Sequence, residues 1–253
     1  MEFVEDFCYN KYWVILLMFK TILFDLDGTL LDIDMDVFIP RYFDLISAKF
    51  SYLIKPHDFI EHLLFSTRLM LADKDPQKTN EQVFMNAFIP RIGISLEELQ
   101  PVLTDFYTND FGQLGKYTRR EPLAVKIIDL AFKKGYEVVI ATNPVFPRLA
   151  IEHRLNWAGI KDYSYKLITT YENMHFCKPH REYYEEILSV LGRKPEECLM
   201  VGNDVEEDLP AGTAGIKTYL TKNYILNETE NSRYPADYLG YLDDFHKFMK
   251  TWQ

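Results

Sequence analysis

The feature that most constrains this chain is a short apolar run that stops on two carboxylates. Thr21 to Phe24 leads directly into Asp25, Leu26, Asp27, Gly28 and Thr29. Four apolar or β-branched residues followed by a glycine turn predict a buried strand that ends abruptly. At positions i and i+2, the two carboxylates leave the strand end on the same side. Gly28 permits a tight exit and a close backbone approach to a ligand. An Asp-Gly turn with a side-chain cap would also explain Asp27 and Gly28, but it does not explain a second aspartate directly closing the apolar run. Four fixed letters in that spacing arise by chance about once in 10⁵ positions at average residue usage.

Further short apolar runs follow. Tyr136 to Ala141, Lys166 to Thr169, Cys198 to Val201 and Lys217 to Leu220 read as strands. Helical patterns lie between them over Pro122–Lys134, Arg148–Ala158 and His180–Leu191, each stopped by a glycine. Strands alternating with helices predict βαβ units, hence an α/β fold with a Rossmann-like, mainly parallel sheet.

The alternation breaks between residues 33 and 120. Val37–Phe50, Phe59–Ala72, Glu81–Ile89 and Leu96–Phe106 read as helices with no competing strand. Thr79 with Gln82 and Ser95 with Glu98 form capping boxes. An all-helical cap over 33–120, inserted into an α/β core made of 18–32 and 121–253, is the simplest organisation. Tyr234 to Trp252 reads as an aromatic-rich C-terminal helix. Residues 1–17 read as an extension. The apolar stretch Trp13–Phe19 has seven residues, against the roughly 20 a membrane span needs, and it follows Glu2, Glu5 and Asp6 rather than the basic start of a signal peptide.

Charge narrows the partners. With 28 basic and 38 acidic residues the net charge is −10, which opposes nucleic acid and anionic lipid. Any attraction for an anionic substrate must therefore be local. Cys8, Cys177 and Cys198 are scattered with no paired spacing, which predicts reduced thiols and a cytoplasmic setting. The six histidines show no zinc-ligand spacing. Asn227-Glu228-Thr229 is a glycosylation sequon, and in a cytoplasmic chain it is a chance match.

Three more polar clusters follow later strands: Thr142 with Asn143, Lys178 with Pro179, and Asn203, Asp204 and Asp208 after Gly202. In open parallel sheets, ligands bind beyond the carboxyl ends of the strands. Alone, each cluster has a plainer reading as a turn, a solvated lysine or helix N-terminal charges. Their order, one after each strand end, is what points to a shared site.

In these residues the chain resembles the haloacid dehalogenase-like superfamily. Asp25–Thr29 matches its first motif, Thr142 its second, Lys178 its third, and Gly202-Asn203-Asp204 with Asp208 its fourth. The resemblance spans about residues 19 to 222. It is to phosphatase-type members whose helical cap follows the first motif, because the 35 residues between Thr142 and Lys178 leave little room for the alternative cap. The resemblance implies that Asp25 attacks phosphorus and that Asp27 acts as general acid and then general base. It also implies that Thr142, Asn143 and backbone N–H groups near Gly28 hold the phosphoryl oxygens, and that Lys178 neutralises developing charge.

Two carboxylates such as Asp25 and Asp204 repel by roughly 4 kcal/mol at 4 Å and an effective dielectric of 20. One lysine does not offset that together with a dianionic phosphate, whereas Mg²⁺ does. The resemblance implies Asp25, the Asp27 carbonyl and Asp204 as ligands. Many relatives carry Gly-Asp where this chain has Gly202-Asn203, so Asn203 is the fallback ligand, and Asp208 is expected to orient Lys178 or a metal-bound water. An acid at Asp27 fits phosphate-ester chemistry rather than dehalogenation. The expected activity is a Mg²⁺-dependent phosphatase on a small phosphorylated metabolite, acting as monomer or homodimer. A sugar phosphomutase is the same-site alternative, and a non-catalytic binder is the alternative of a different class. Arg68, Lys74 and Arg91 are candidate cap contacts, while Leu63–Phe65 and Val83–Phe84 read as cap core.

Overall fold

The computed structural model describes residues 19–229 and 233–251. The expected N-terminal extension over 1–17, Cys8 and Trp252 lie outside the described residues. Six strands form one parallel sheet: β1 (Thr21–Phe24), β4 (Glu137–Ile140), β5 (Leu167–Ile168), β6 (Cys198–Gly202), β7 (Lys217–Thr221) and β8 (Tyr238–Gly240). Their spatial order is β5-β4-β1-β6-β7-β8. From β1 the chain steps outward through β4 and β5, then crosses to β6 and steps outward on the other side. The order therefore reverses beside β1, where open α/β sheets form a ligand crevice.

Both faces of the sheet are covered. Ile22 and Phe24 of β1 enter one apolar cluster together with Val138, Ile140, Leu199 and Val201. Leu23 enters another with Val139, Met200, Tyr183 and Ile187. Burial on both faces is why β1 is apolar at every position rather than alternating. Helices α5 (Ala124–Lys133), α6 (Arg148–Ala158), α7 (Arg181–Leu191) and α8 (Leu242–Thr251) accompany the sheet.

Between the first two strands of the sheet runs the helical segment, with α1 (Met35–Lys49), α2 (Pro56–Ala72), α3 (Asn80–Ile92) and α4 (Leu96–Asp105). Both capping boxes are formed. The Gln82 N–H donates to the Thr79 hydroxyl while the Thr79 N–H donates to the Gln82 side chain, and Ser95 and Glu98 repeat the arrangement. Each such cap contributes roughly 1 kcal/mol. Phe38, Tyr42, Phe59, Phe88 and Phe106 from this segment belong to the same apolar cluster as Phe24 and Ile128. The helices thus pack onto the sheet through a shared apolar cluster.

Three short strands differ from the sequence expectation. Leu31–Ile33 (β2) pairs antiparallel with Thr118–Arg120 (β3), so the chain enters and leaves the helical segment through adjacent strands. Arg119 and Arg120 are exposed, and Arg119 pairs with Asp32 at 2.9 Å. Strands of three residues are too short for a periodicity to be read. The C-terminal region, expected to be one helix from Tyr234, instead supplies β8 and only then α8. Strand β8 lies at the sheet edge beside β7, and its central Leu239 is exposed. No described helix is long and apolar enough to cross a membrane.

Candidate active site

Asp25 is the first residue beyond β1, and its N–H donates to the Val201 carbonyl of β6 at 2.9 Å. The strand pairing thus continues to the aspartate and fixes its direction. Lys178 reaches the same point from the segment before α7. Its side chain is fully buried, and Nζ donates to Asp25 Oδ1 at 2.8 Å and to Asp208 Oδ1 at 2.6 Å. The Asp204 N–H donates to Asp208 Oδ2 at 2.9 Å. Asp208 is therefore engaged at both oxygens and sits against the lysine that reaches Asp25.

Gly202 makes this possible. A Cβ at that position would lie 2.1 Å from Asp208 Oδ2, so only glycine leaves room for the carboxylate. Burial favours a neutral amine at Lys178, yet the adjacent Asp208 and Asp25 carboxylates hold its pKa well above the ordinary lysine value. Burial raises Asp25 from its usual range against the opposing pull of Lys178. It pushes both Asp208 and Glu207 up to about 7.

A cavity of about 230 Å³ opens at these strand ends. Asp25, Asp27, Thr142, Asn143, Asn203, Asp204, Glu207 and Asp208 line it, together with Arg154 and the apolar Met35, Val145, Phe146 and Leu226. The sequence-expected residues from β1, β4 and β6 thus meet in one crevice, with Lys178 behind Asp25. Gly28 is not among the lining residues. Its N–H donates to the Leu31 carbonyl at 2.8 Å, and its positive φ of 82° lets the turn press against Asn203. Gly28 is therefore a turn residue here, and its N–H is not available to a phosphoryl oxygen.

Arg154 was not foreseen. It is buried on α6, and one guanidinium nitrogen donates to Asp27 Oδ2. Its Nε reaches the Ala150 carbonyl at 3.4 Å, and the Phe146 ring lies 4.5 Å from its central carbon. An arginine in the middle of an amphipathic helix normally reads as solvated. The only hint in the sequence was its apolar surroundings, Ile151 and Leu155.

The other candidates fall elsewhere. Lys74 pairs with Glu182 at 2.9 Å, Arg91 lies over the Phe65 ring at 3.9 Å, and Arg68 is exposed. None of the three lines the cavity. Cys177 is buried, and burial pushes its thiol far above the ordinary range, so it is a packing residue.

The cavity gathers five carboxylates against the two cations Lys178 and Arg154. Three buried atoms on its walls, Asp27 Oδ1, Asn143 Oδ1 and Arg154 Nη2, have no hydrogen-bond partner among the described residues. Unpaired buried polar groups cost about 1–3 kcal/mol each, so these walls are built to face a polar occupant. Among the described residues, no three His, Cys, Asp or Glu side chains are grouped to enclose a metal by themselves. The donor set still fits Mg²⁺, which takes one or two carboxylates and completes its shell with phosphate and water.

The two residues considered as ligand at the fourth motif differ in their commitments. Asn203 accepts from the Thr29 hydroxyl at 2.9 Å and donates to the Tyr224 carbonyl at 2.7 Å. Asp204 Oδ1 accepts from the N–H groups of Glu206 and Glu207 and from the Asn227 amide, and among the described residues Oδ2 accepts only from that same Asn227 amide, at 2.9 Å. Asn203 thus joins two loops, while one oxygen of Asp204 is held by a single, exposed amide.

A parallel sheet carrying a carboxylate beyond β1, a buried lysine and an acidic fourth loop defines a hydrolase of the haloacid dehalogenase-like class. The profile of the haloacid dehalogenase-like hydrolases matches residues 19–215, and the chain belongs to that family. The pyrophosphatase PpaX of Bacillus cereus (strain AH820) is 23% identical over 199 residues, covering 79% of this chain and 81% of that one. A predicted phosphoglycolate phosphatase from Haemophilus somnus 129PT superposes with a TM-score of 0.55 at 18% identity, covering 93% and 99% of the two chains. The L-2-haloacid dehalogenase of Xanthobacter autotrophicus superposes equally well, with a TM-score of 0.56 at 15% identity over 93% and 100%. Phosphatases and dehalogenases thus share this fold. Membership of the family makes this chain a hydrolase.

Proposed function

We propose that the protein is a Mg²⁺-dependent phosphatase that hydrolyses a small phosphorylated metabolite through an aspartyl-phosphate on Asp25. The observation that carries this reading is Asp27. A second carboxylate lines the same cavity as Asp25, is tied by one oxygen to buried Arg154, and has its other oxygen buried without a partner among the described residues. That is the placement required of a group that passes a proton to a leaving oxygen.

Asp25 Oδ attacks phosphorus, and the bond from phosphorus to the ester oxygen breaks. Asp27 passes a proton to that departing oxygen. Asp27 then takes a proton from a water that attacks the same phosphorus; inorganic phosphate leaves and Asp25 is restored. Lys178 Nζ holds Asp25 in line, and Thr142 and Asn143 bind phosphoryl oxygens. Asp25, the Asp27 carbonyl and Asp204 would hold Mg²⁺, which when bound would supply positive charge to the phosphoryl group. The helices within 33–120 serve as the cap over the core formed by 18–32 and 121–253. The buried thiols of Cys177 and Cys198 support a cytoplasmic setting.

Phosphate release from p-nitrophenyl phosphate tests this. Turnover is expected with Mg²⁺, absent with EDTA, and absent in Asp25→Asn. Turnover that survives EDTA removes the metal, and turnover that survives Asp25→Asn removes the nucleophile.

A further inference from the structure

A second cavity, of about 190 Å³, lies between the helical segment and the loop after β4. Tyr42, Leu63, Phe84, Met85, Tyr107 and Tyr171 form much of its wall, and Val145 and Phe146 are shared with the active-site cavity. Leu63 and Phe84, expected to be cap core, thus border open space.

The shared residue Phe146 lies at the border of the two sites. Its ring lies 4.5 Å from the Arg154 guanidinium carbon on one side and 5.3 Å from the Tyr42 ring centre. Arg154 is the partner of Asp27, so the two cavities meet at Val145 and Phe146, beside the residue that holds the group assigned to protonate the leaving oxygen. The carbon part of a bound ester, attached to that oxygen, would reach this space past the Phe146 ring.

The wall is selective by what it lacks. No acidic, basic or histidine side chain lines the cavity among the described residues. Its hydroxyls are already engaged: Tyr42 and Tyr107 bond each other at 3.0 Å, Thr67 bonds the Leu63 carbonyl at 2.9 Å, and Tyr171 faces Glu81. A leaving group carrying charge or several hydroxyls would lose water here and gain little in return. An apolar one loses only apolar hydration.

Resting on the phosphatase reading above, we infer that the substrate is a phosphate monoester of an apolar alcohol, with a leaving group of about one ring or a short alkyl chain. A dry cavity of about 150 Å³ accommodates benzene, so this volume takes a ring or a chain of about six carbons. Pyrophosphate, phosphoglycolate and sugar phosphates present anionic or polyhydroxyl leaving groups that this wall does not match.

The test is kcat/KM of the full chain with Mg²⁺ on n-alkyl phosphates from ethyl to octyl, whose leaving groups differ little in acidity. Pyrophosphate and phosphoglycolate serve as controls. The expected result is a rise of about fourfold per buried methylene until the cavity is full, with both controls at least about 100-fold below hexyl phosphate. Met85→Trp, which fills the space, should move the optimum to shorter chains, and Phe84→Leu, which enlarges it, to longer ones. A flat chain-length profile, or either control exceeding hexyl phosphate, overturns the inference. If no ester is turned over, the phosphatase reading fails instead. Calorimetric titration with hexyl phosphate then still decides the cavity: binding weakened by Met85→Trp upholds the apolar subsite, and no binding at millimolar concentration overturns it.

Discussion

Replacing Arg154 by methionine should weaken the fold and the reaction together. The arginine side chain is 2% exposed and its Asp27 partner 14%, so the pair is largely shielded from water. Methionine retains the packing against Phe146 and removes only the charge and the hydrogen bonds. Removing one partner of a buried ion pair costs about 3–5 kcal/mol, because the remaining charge stays behind without compensation. The partial exposure of Asp27 places the expected loss near the lower end, about 3 kcal/mol. Asp27→Asn should cost less, since the amide oxygen still accepts from Arg154. The double variant should recover stability relative to the sum, with a coupling energy of about 2 kcal/mol. Urea unfolding, followed through Trp157 on the same helix, measures all four corners of the cycle. Additivity within about 0.5 kcal/mol would show that the two groups do not hold each other, and the assignment of Arg154 as the residue positioning Asp27 would be withdrawn.

Three further outcomes are expected. Asp27→Asn should lower kcat by about 10²- to 10⁴-fold with an unchanged circular dichroism spectrum, and an unchanged rate would remove the acid–base role. Gly202→Ala forces a methyl group against Asp208 and should cost at least about 1–3 kcal/mol. It should also reduce activity by freeing Lys178, which thermal unfolding and phosphate release would each register. Asp204→Ala should raise the Mg²⁺ concentration needed for half-maximal activity, whereas Asn203→Ala should lower stability, because it breaks the links to Thr29 and Tyr224, without moving that requirement. The reverse pattern would place the ligand one residue upstream.

Much of the site was legible because strand ends are legible. Thr21–Phe24 and Cys198–Val201 are apolar throughout, their turns are marked by Gly28 and Gly202, and the polar residues after them had one direction to face. Lys178 could be placed in the same crevice only through its order among the other motifs, since nothing local distinguishes a lysine that will be buried. Arg154 was hidden for the same reason. Its partner is 127 positions away, and one charge on an amphipathic helix carries no sign of which face it occupies. The paired strands β2 and β3 were missed because three residues are too few for a period. Strand β8 was missed because Tyr238–Gly240 is only three residues long and runs straight into the helical pattern of Leu242–Thr251. The apolar cavity was unreadable in principle: Leu63 and Phe84 look like core, and whether core residues meet or leave a gap is settled by tertiary packing alone.

The account stands on Asp25 as the group that receives the phosphoryl. A single-turnover reaction with excess enzyme, quenched in acid within milliseconds and mapped by mass spectrometry, examines this directly. The expected result is one phosphoryl group on the peptide carrying Asp25, present transiently with Mg²⁺ and absent in Asp25→Asn. Release of inorganic phosphate at the full rate with no phosphoryl on that peptide at any time, or with the label on another residue, would contradict it.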